Sequence, residues 1–90
     1  MVILDLLGRR WAMRILWELG VAPRSFRELQ AQCENVSSSV LNTRLGELRE
    51  ASLIDLGNEG YCLTSQGEEL MRVIAPLRAW ADAWAAQRDT

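Results

Sequence analysis

Apolar and polar positions follow a helical rhythm along most of this chain. Between Val2 and Leu19 the apolar residues Trp11, Ile15, Leu16 and Leu19 recur at steps of three and four, which predicts one long helix with a single buried stripe, open to a break at Gly8. Gly20 is the expected stop, and Pro23 supports a turn. Ser25-Phe26-Arg27-Glu28 has the form of a capping box, in which the serine hydroxyl accepts from an N–H three residues on and the glutamate reaches back. It opens a short helix through Gln32 that turns Phe26, Leu29 and Cys33 inward. After a tight connection at Glu34-Asn35-Val36, a central helix runs to about Ala51. Ser37 caps it, and Val40, Leu41, Leu45 and Leu48 form its inward side.

The rhythm then changes to period two. Leu53 to Leu56 reads as a strand, Gly57-Asn58-Glu59-Gly60 as a hairpin loop with two glycines for positive φ, and Tyr61 to Thr64 as the returning strand. Tyr61 and Leu63 share one face of that strand, and Cys62 points to the other. Thr64 caps a last helix from about Ser65 to Gln87. In it Leu70, Ile74, Leu77, Trp80, Ala81 and Trp84 form a heptad-like seam, too apolar for a small domain to cover alone. Pro76 predicts a kink or break near Val73–Pro76. Two helices joined by a tight turn and followed by a hairpin define the fold class: mainly α with a small β-hairpin, a winged helix-turn-helix with a C-terminal dimerisation helix. One domain is expected over residues 1–90, with residues 65–88 as the dimerising part.

Composition narrows the function. The chain is 49% apolar and 24% charged, a balance that fits a globular protein. No apolar run is long enough to span a bilayer and no signal peptide is evident, so no membrane partner is expected. Cys33 and Cys62 share no metal-ligand spacing and make no disulfide framework, which points to a reducing, cytoplasmic setting without a metal or other cofactor. There is no histidine, no glycine-rich phosphate loop and no carboxylate pair set for acid–base work, which argues against an enzyme. Glu68 and Glu69 read as first-turn acids favoured by the helix dipole.

The net charge of −2 does not favour nucleic acid, but its distribution changes that picture. Every basic residue is an arginine, and Arg9, Arg10, Arg14, Arg24, Arg27, Arg44 and Arg49 all fall in the first 50 residues. The central helix carries Ser38, Ser39, Asn42, Thr43 and Arg49 away from its apolar side. These side chains are short or forked and both donate and accept hydrogen bonds, as a helix in a DNA major groove requires. Arg24, Arg27 and Arg49 are candidate phosphate clamps. Two readings follow. One is a sequence-specific, homodimeric DNA-binding regulator. The other is a winged helix serving as a protein-interaction module with weak or no DNA binding, favoured by the acidic second half and by Asp55 and Glu59 in the wing.

Over nearly its whole length the chain resembles the HxlR-type winged-helix transcriptional regulators of bacteria. The matching residues are Leu7-Gly8-Arg9-Arg10-Trp11 with Ile15-Leu16-Trp17-Glu18-Leu19, then Phe26-Arg27-Glu28-Leu29, then Val36-Ser37 with Val40-Leu41, Arg44-Leu45 and Glu47-Leu48. Tyr61-Cys62-Leu63-Thr64 with Gly67 and Leu70, then Leu77 and Trp80, complete the pattern. The resemblance implies a homodimeric transcription factor on double-stranded DNA. The third helix would enter the major groove and the wing would lie by the backbone. It implies base or phosphate contacts for Ser38, Ser39, Asn42 and Thr43; Ser37 and Ser25, at the starts of the two helices, are further candidates for DNA contact. Arg44 would hold phosphate or brace the fold. The chain departs from the family pattern at several points: it starts too late to carry the cysteine found ahead of the first helix, Ser39 and Ser25 stand where a lysine and an arginine are common, and the wing is short and acidic.

Overall fold

The computed structural model describes residues 2–88, so the ends of the expected domain, residues 1 and 90, lie outside the described residues. Five helices and one hairpin follow in the order α1 (Val2–Leu7), α2 (Ala12–Val21), α3 (Phe26–Gln32), α4 (Ser38–Glu50), β1 (Ile54–Gly57), β2 (Gly60–Leu63) and α5 (Ser65–Arg88). The apolar stripes of the first four helices meet in one core. Ile15 and Leu16 of α2, Leu29 of α3, Leu41, Leu45 and Leu48 of α4, and Leu53 and Ile54 ahead of the wing are all buried in it.

The first helical stretch is two helices, broken at Gly8, where the sequence leaves a break open. The chain leaves α1 at Gly8 and restarts at Ala12 after Trp11 adopts left-handed φ of 74°. A non-glycine residue in that region costs on the order of 1–3 kcal/mol, so surrounding contacts must hold it. They come from α4. Arg44 Nε donates to the Arg10 carbonyl at 2.8 Å. Glu47 accepts from both Arg9 and Arg44. The tertiary grip on residues 9–10 therefore decides the break, and Trp11 is half-buried against the core instead of continuing a stripe.

The capping box is present in full. Ser25 Oγ accepts from Glu28 N at 3.1 Å, and Glu28 Oε1 accepts from Ser25 N at 2.8 Å. Ser37 caps α4, its hydroxyl accepting from Val40 N at 3.3 Å. Thr64 caps α5 through Gly67 N at 3.1 Å, and its own hydroxyl donates to the Ser52 carbonyl at 2.6 Å. β1 and β2 pair antiparallel with Ile54 opposite Leu63 and Gly57 opposite Gly60. Only one of the two loop glycines has positive φ, Gly60 at 117°. A Cβ there would lie 2.5 Å from the Arg24 carbonyl oxygen. The close approach exists because Arg24 pairs with Tyr61 as a third, one-residue strand, N to O at 3.0 Å and 2.8 Å in the two directions. The wing is thereby tied to the start of α3.

α5 continues unbroken through Pro76. Proline removes one backbone hydrogen bond, but contacts on both sides of it tie the helix to the domain. Ile74 is buried, and the Arg78 guanidinium stacks 4.2 Å over the Trp17 ring of α2.

Candidate nucleic-acid interface

Three leucines anchor α4, and their directions fix what it shows to the outside. Leu41, Leu45 and Leu48 are buried. Successive helical residues turn by about 100°, so the outward direction opposite these leucines is occupied by Ser39, Thr43 and Gly46, with Asn42 beside them. All four are exposed. Ser39, Asn42 and Thr43 make no side-chain hydrogen bond with a described residue. Val40, expected inward, is 37% exposed, because it falls about one residue's turn away from the leucine stripe.

The arginines divide into those spent on the fold and those left over. Arg44 is largely buried and used on Arg10 and Glu47, so it braces the loop ahead of α2. Arg24 is mostly covered. Its Nη2 lies 3.7 Å from Glu18, and its Nε is buried without an acceptor. Arg14 donates to Glu18 at 3.0 Å and to Gln32 at 3.2 Å. Arg49 sits half-exposed at the end of α4, 3.6 Å from Asp55 of the wing. Arg27 is exposed on α3 and makes no ion pair with a described residue. Arg10, exposed with its guanidinium 5.1 Å over the Trp11 ring, makes none either, and it borders Val36 and Val40 at the near end of α4. Sequence reasoning passed over Arg10 as a contact because nothing local distinguishes it from Arg9, whose charge is taken by Glu47.

Ser25 and Ser37 both have their hydroxyl oxygens engaged as caps. The Glu28 carboxyl is held below the usual carboxylate range, first by the Ser25 N–H and then by the Ser25 hydroxyl. Burial pushes the Cys33 thiol up, which favours its protonated form. Cys62 is half-buried on the wing.

The expected seam of α5 divides at Pro76. Leu70 and Ile74 pack on their own domain, Ile74 with 7% exposure. Leu77, Trp80, Ala81 and Trp84 remain outside, with Trp80 62% exposed and its ring stacked on Trp84 at 6.4 Å. The sequence could not divide them, since all six share one periodicity.

A helix pair with a polar outward face on its second member, followed by a hairpin tied back to the first, defines a winged helix-turn-helix protein. A model of the HxlR-like helix-turn-helix family matches residues 6–89. The HTH-type transcriptional regulator YodB of Bacillus subtilis is 30% identical over 93 residues, covering 96% of this chain and 83% of YodB. The HTH-type regulator YvaP of the same organism is 31% identical over 87 residues, covering 89% of this chain and 81% of YvaP. The crystal structure of quinone-bound YodB superimposes with a TM-score of 0.78 at 32% identity, over 88% of this chain and 89% of that one. A possible HxlR family transcriptional factor from Thermoplasma volcanium superimposes with a TM-score of 0.81 at 25% identity, over 93% and 82%. This chain belongs to the HxlR-like helix-turn-helix family, and it is a DNA-binding transcriptional regulator.

Proposed function

We propose that the chain works as one winged-helix domain, dimerised through α5, that reads a near-palindromic site with one α4 in each of two major grooves. The observation that carries this reading is the outward face of α4, where Ser39, Asn42 and Thr43 are exposed and have no side-chain partner among the described residues. Polar groups held out on a rigid helix without internal use are available to base edges. Ser37 and Ser38 flank that face at the helix start, and Ser25 does the same for α3. Arg10, Arg27 and Arg49 are the phosphate contacts in this reading; Arg24 and Arg44 act through the fold. Regulation by binding, with no reaction catalysed, fits a chain without histidine. The competing reading, a protein-interaction module, draws support from the internal pairing of Arg9, Arg14, Arg24 and Arg44 and from the acidic wing.

The two readings separate in a binding series on selected and scrambled duplexes across salt. Asn42→Ala should cost about 1–3 kcal/mol on the selected site only. Arg27→Ala and Arg49→Ala should weaken binding on both duplexes and lower the salt slope by roughly one. Negligible and salt-insensitive effects from all three would leave the interaction module as the function.

A further inference from the structure

Gln30, which the sequence did not single out, joins the two helices of the motif. Its backbone carbonyl accepts from Cys33 N at 3.2 Å and Asn35 N at 2.8 Å. Its side-chain Nε2 donates to the Val36 carbonyl at 2.8 Å and reaches Ser38 Oγ at 3.4 Å. Between them lies a turn in which Glu34 and Asn35 both have left-handed φ, 58° and 57°. The contact with Ser38 is not part of the helix cap, because Ser37 supplies that. A carbonyl oxygen can only accept, so the Gln30 atom facing Val36 is the nitrogen, and the same nitrogen donates to Ser38. A hydroxyl that accepts from an amide on one side keeps its own proton for an acceptor elsewhere. Ser38 is exposed, so that acceptor can come from outside the chain. It is also the first residue of α4, where the backbone N–H groups of Ser38 and Ser39 have no acceptor among the described residues.

We infer that Gln30 is a positioning residue for DNA binding: it fixes the Ser38 hydroxyl so that its proton, beside the free N–H groups of Ser38 and Ser39, is presented to one phosphate oxygen. Gln30 touches no DNA itself. The inference rests on the DNA-binding reading and adds a neutral phosphate contact to it. Such a contact matters here because the chain has no lysine and six of its ten arginines make ion pairs within the chain. The partial positive charge of the α4 N-terminus acts in the same direction.

A double-mutant cycle on a mixed-sequence duplex tests it, since a phosphate contact is independent of base sequence. Ser38→Ala and Gln30→Met should each weaken binding by roughly tenfold or more, the loss of one hydrogen bond to a charged group. Gln30→Met should cost nothing more in the Ser38→Ala background, and Ser38→Thr, which keeps the hydroxyl, should bind like the wild type. Equal losses from Gln30→Met in both backgrounds would overturn the inference, as would an unchanged affinity for Ser38→Ala. Should Gln30→Met melt the fold, the side-chain amide resonances of Gln30 in otherwise wild-type protein give a second measurement. They should shift on Ser38→Ala, and amide signals indifferent to that change would also overturn the inference. Salt-dependent binding that Arg27→Ala weakens, without any coupling between Gln30 and Ser38, sinks this inference alone. A wild type that binds no duplex sinks it together with the DNA-binding reading.

Discussion

Gly46 lies inside α4 on its outward face, and a methyl group added there would meet no atom within 4 Å. Glycine in a helix interior costs about 0.5–1 kcal/mol relative to alanine, so Gly46→Ala should stabilise the protein by roughly that amount. The check is a denaturant midpoint that rises at unchanged slope; a lower midpoint would mean that the helix backbone there is not regular. Gly60 is the opposite case, because its positive φ and the nearby Arg24 carbonyl leave no room for a side chain. Glu28 makes a charge-dependent contribution of its own. Its folded pKa lies below the unfolded one, so the capping box stabilises fully above the ordinary glutamate value and loses that contribution as pH falls through the depressed value. Glu28→Gln should therefore destabilise at neutral pH, and the difference from wild type should shrink in acid. A difference constant across pH would show that the charge of Glu28 is irrelevant to the cap.

The wing is short, and its exposed Glu59 would face phosphate with the wrong sign. Glu59→Arg should tighten binding to any duplex and steepen the salt dependence. Weaker binding would mean that the wing docks on something other than DNA. Its other end is firmly held, since Arg24 and Tyr61 exchange two backbone hydrogen bonds and Arg49 of α4 approaches Asp55 of β1. α4 is tied in the same way to the loop ahead of α2, through Glu47 on Arg9 and Arg44 on the Arg10 carbonyl. α4 is thus gripped from the wing on one side and from the α1–α2 loop on the other.

From Ala75 to Arg88 every residue of α5 is exposed, while Leu70, Met71 and Ile74 before it pack on the domain. The described chain measures 43 × 27 × 26 Å, longer in one direction than the rest of the fold needs. Val73, Leu77, Trp80 and Trp84 are apolar side chains left in water on this helix. Burying a large apolar side chain is worth about 1.5–3 kcal/mol, which gives a second copy of the helix a strong reason to cover them. Trp84→Glu should move sedimentation toward monomer and weaken cooperative binding to paired half-sites about 34–36 Å apart. A wild type that already sediments as a monomer at high micromolar concentration would end the dimer proposal.

Whatever depends on neighbours a few residues apart was legible in the sequence. The helix and hairpin order, the capping box at Ser25 and Glu28, the Ser37 and Thr64 caps and the polar face of Ser38, Ser39, Asn42 and Thr43 all follow from periodicity and from hydrogen bonds spanning three or four residues. What sequence alone could not decide was how groups far apart in the chain find one another. Arg9 and Arg10 reach α4 across more than thirty residues, and that contact breaks the first helix and forces Trp11 into the left-handed region. The partners of Arg24 and Arg44 depend on what the fold brings within reach of a long side chain, so arginines that look alike in sequence divide into braces and free charges. The α5 seam divides for the same reason: one periodicity runs through Leu70 and Trp84 alike, and only the extent of the packed body decides that Ile74 is covered and Trp80 is not.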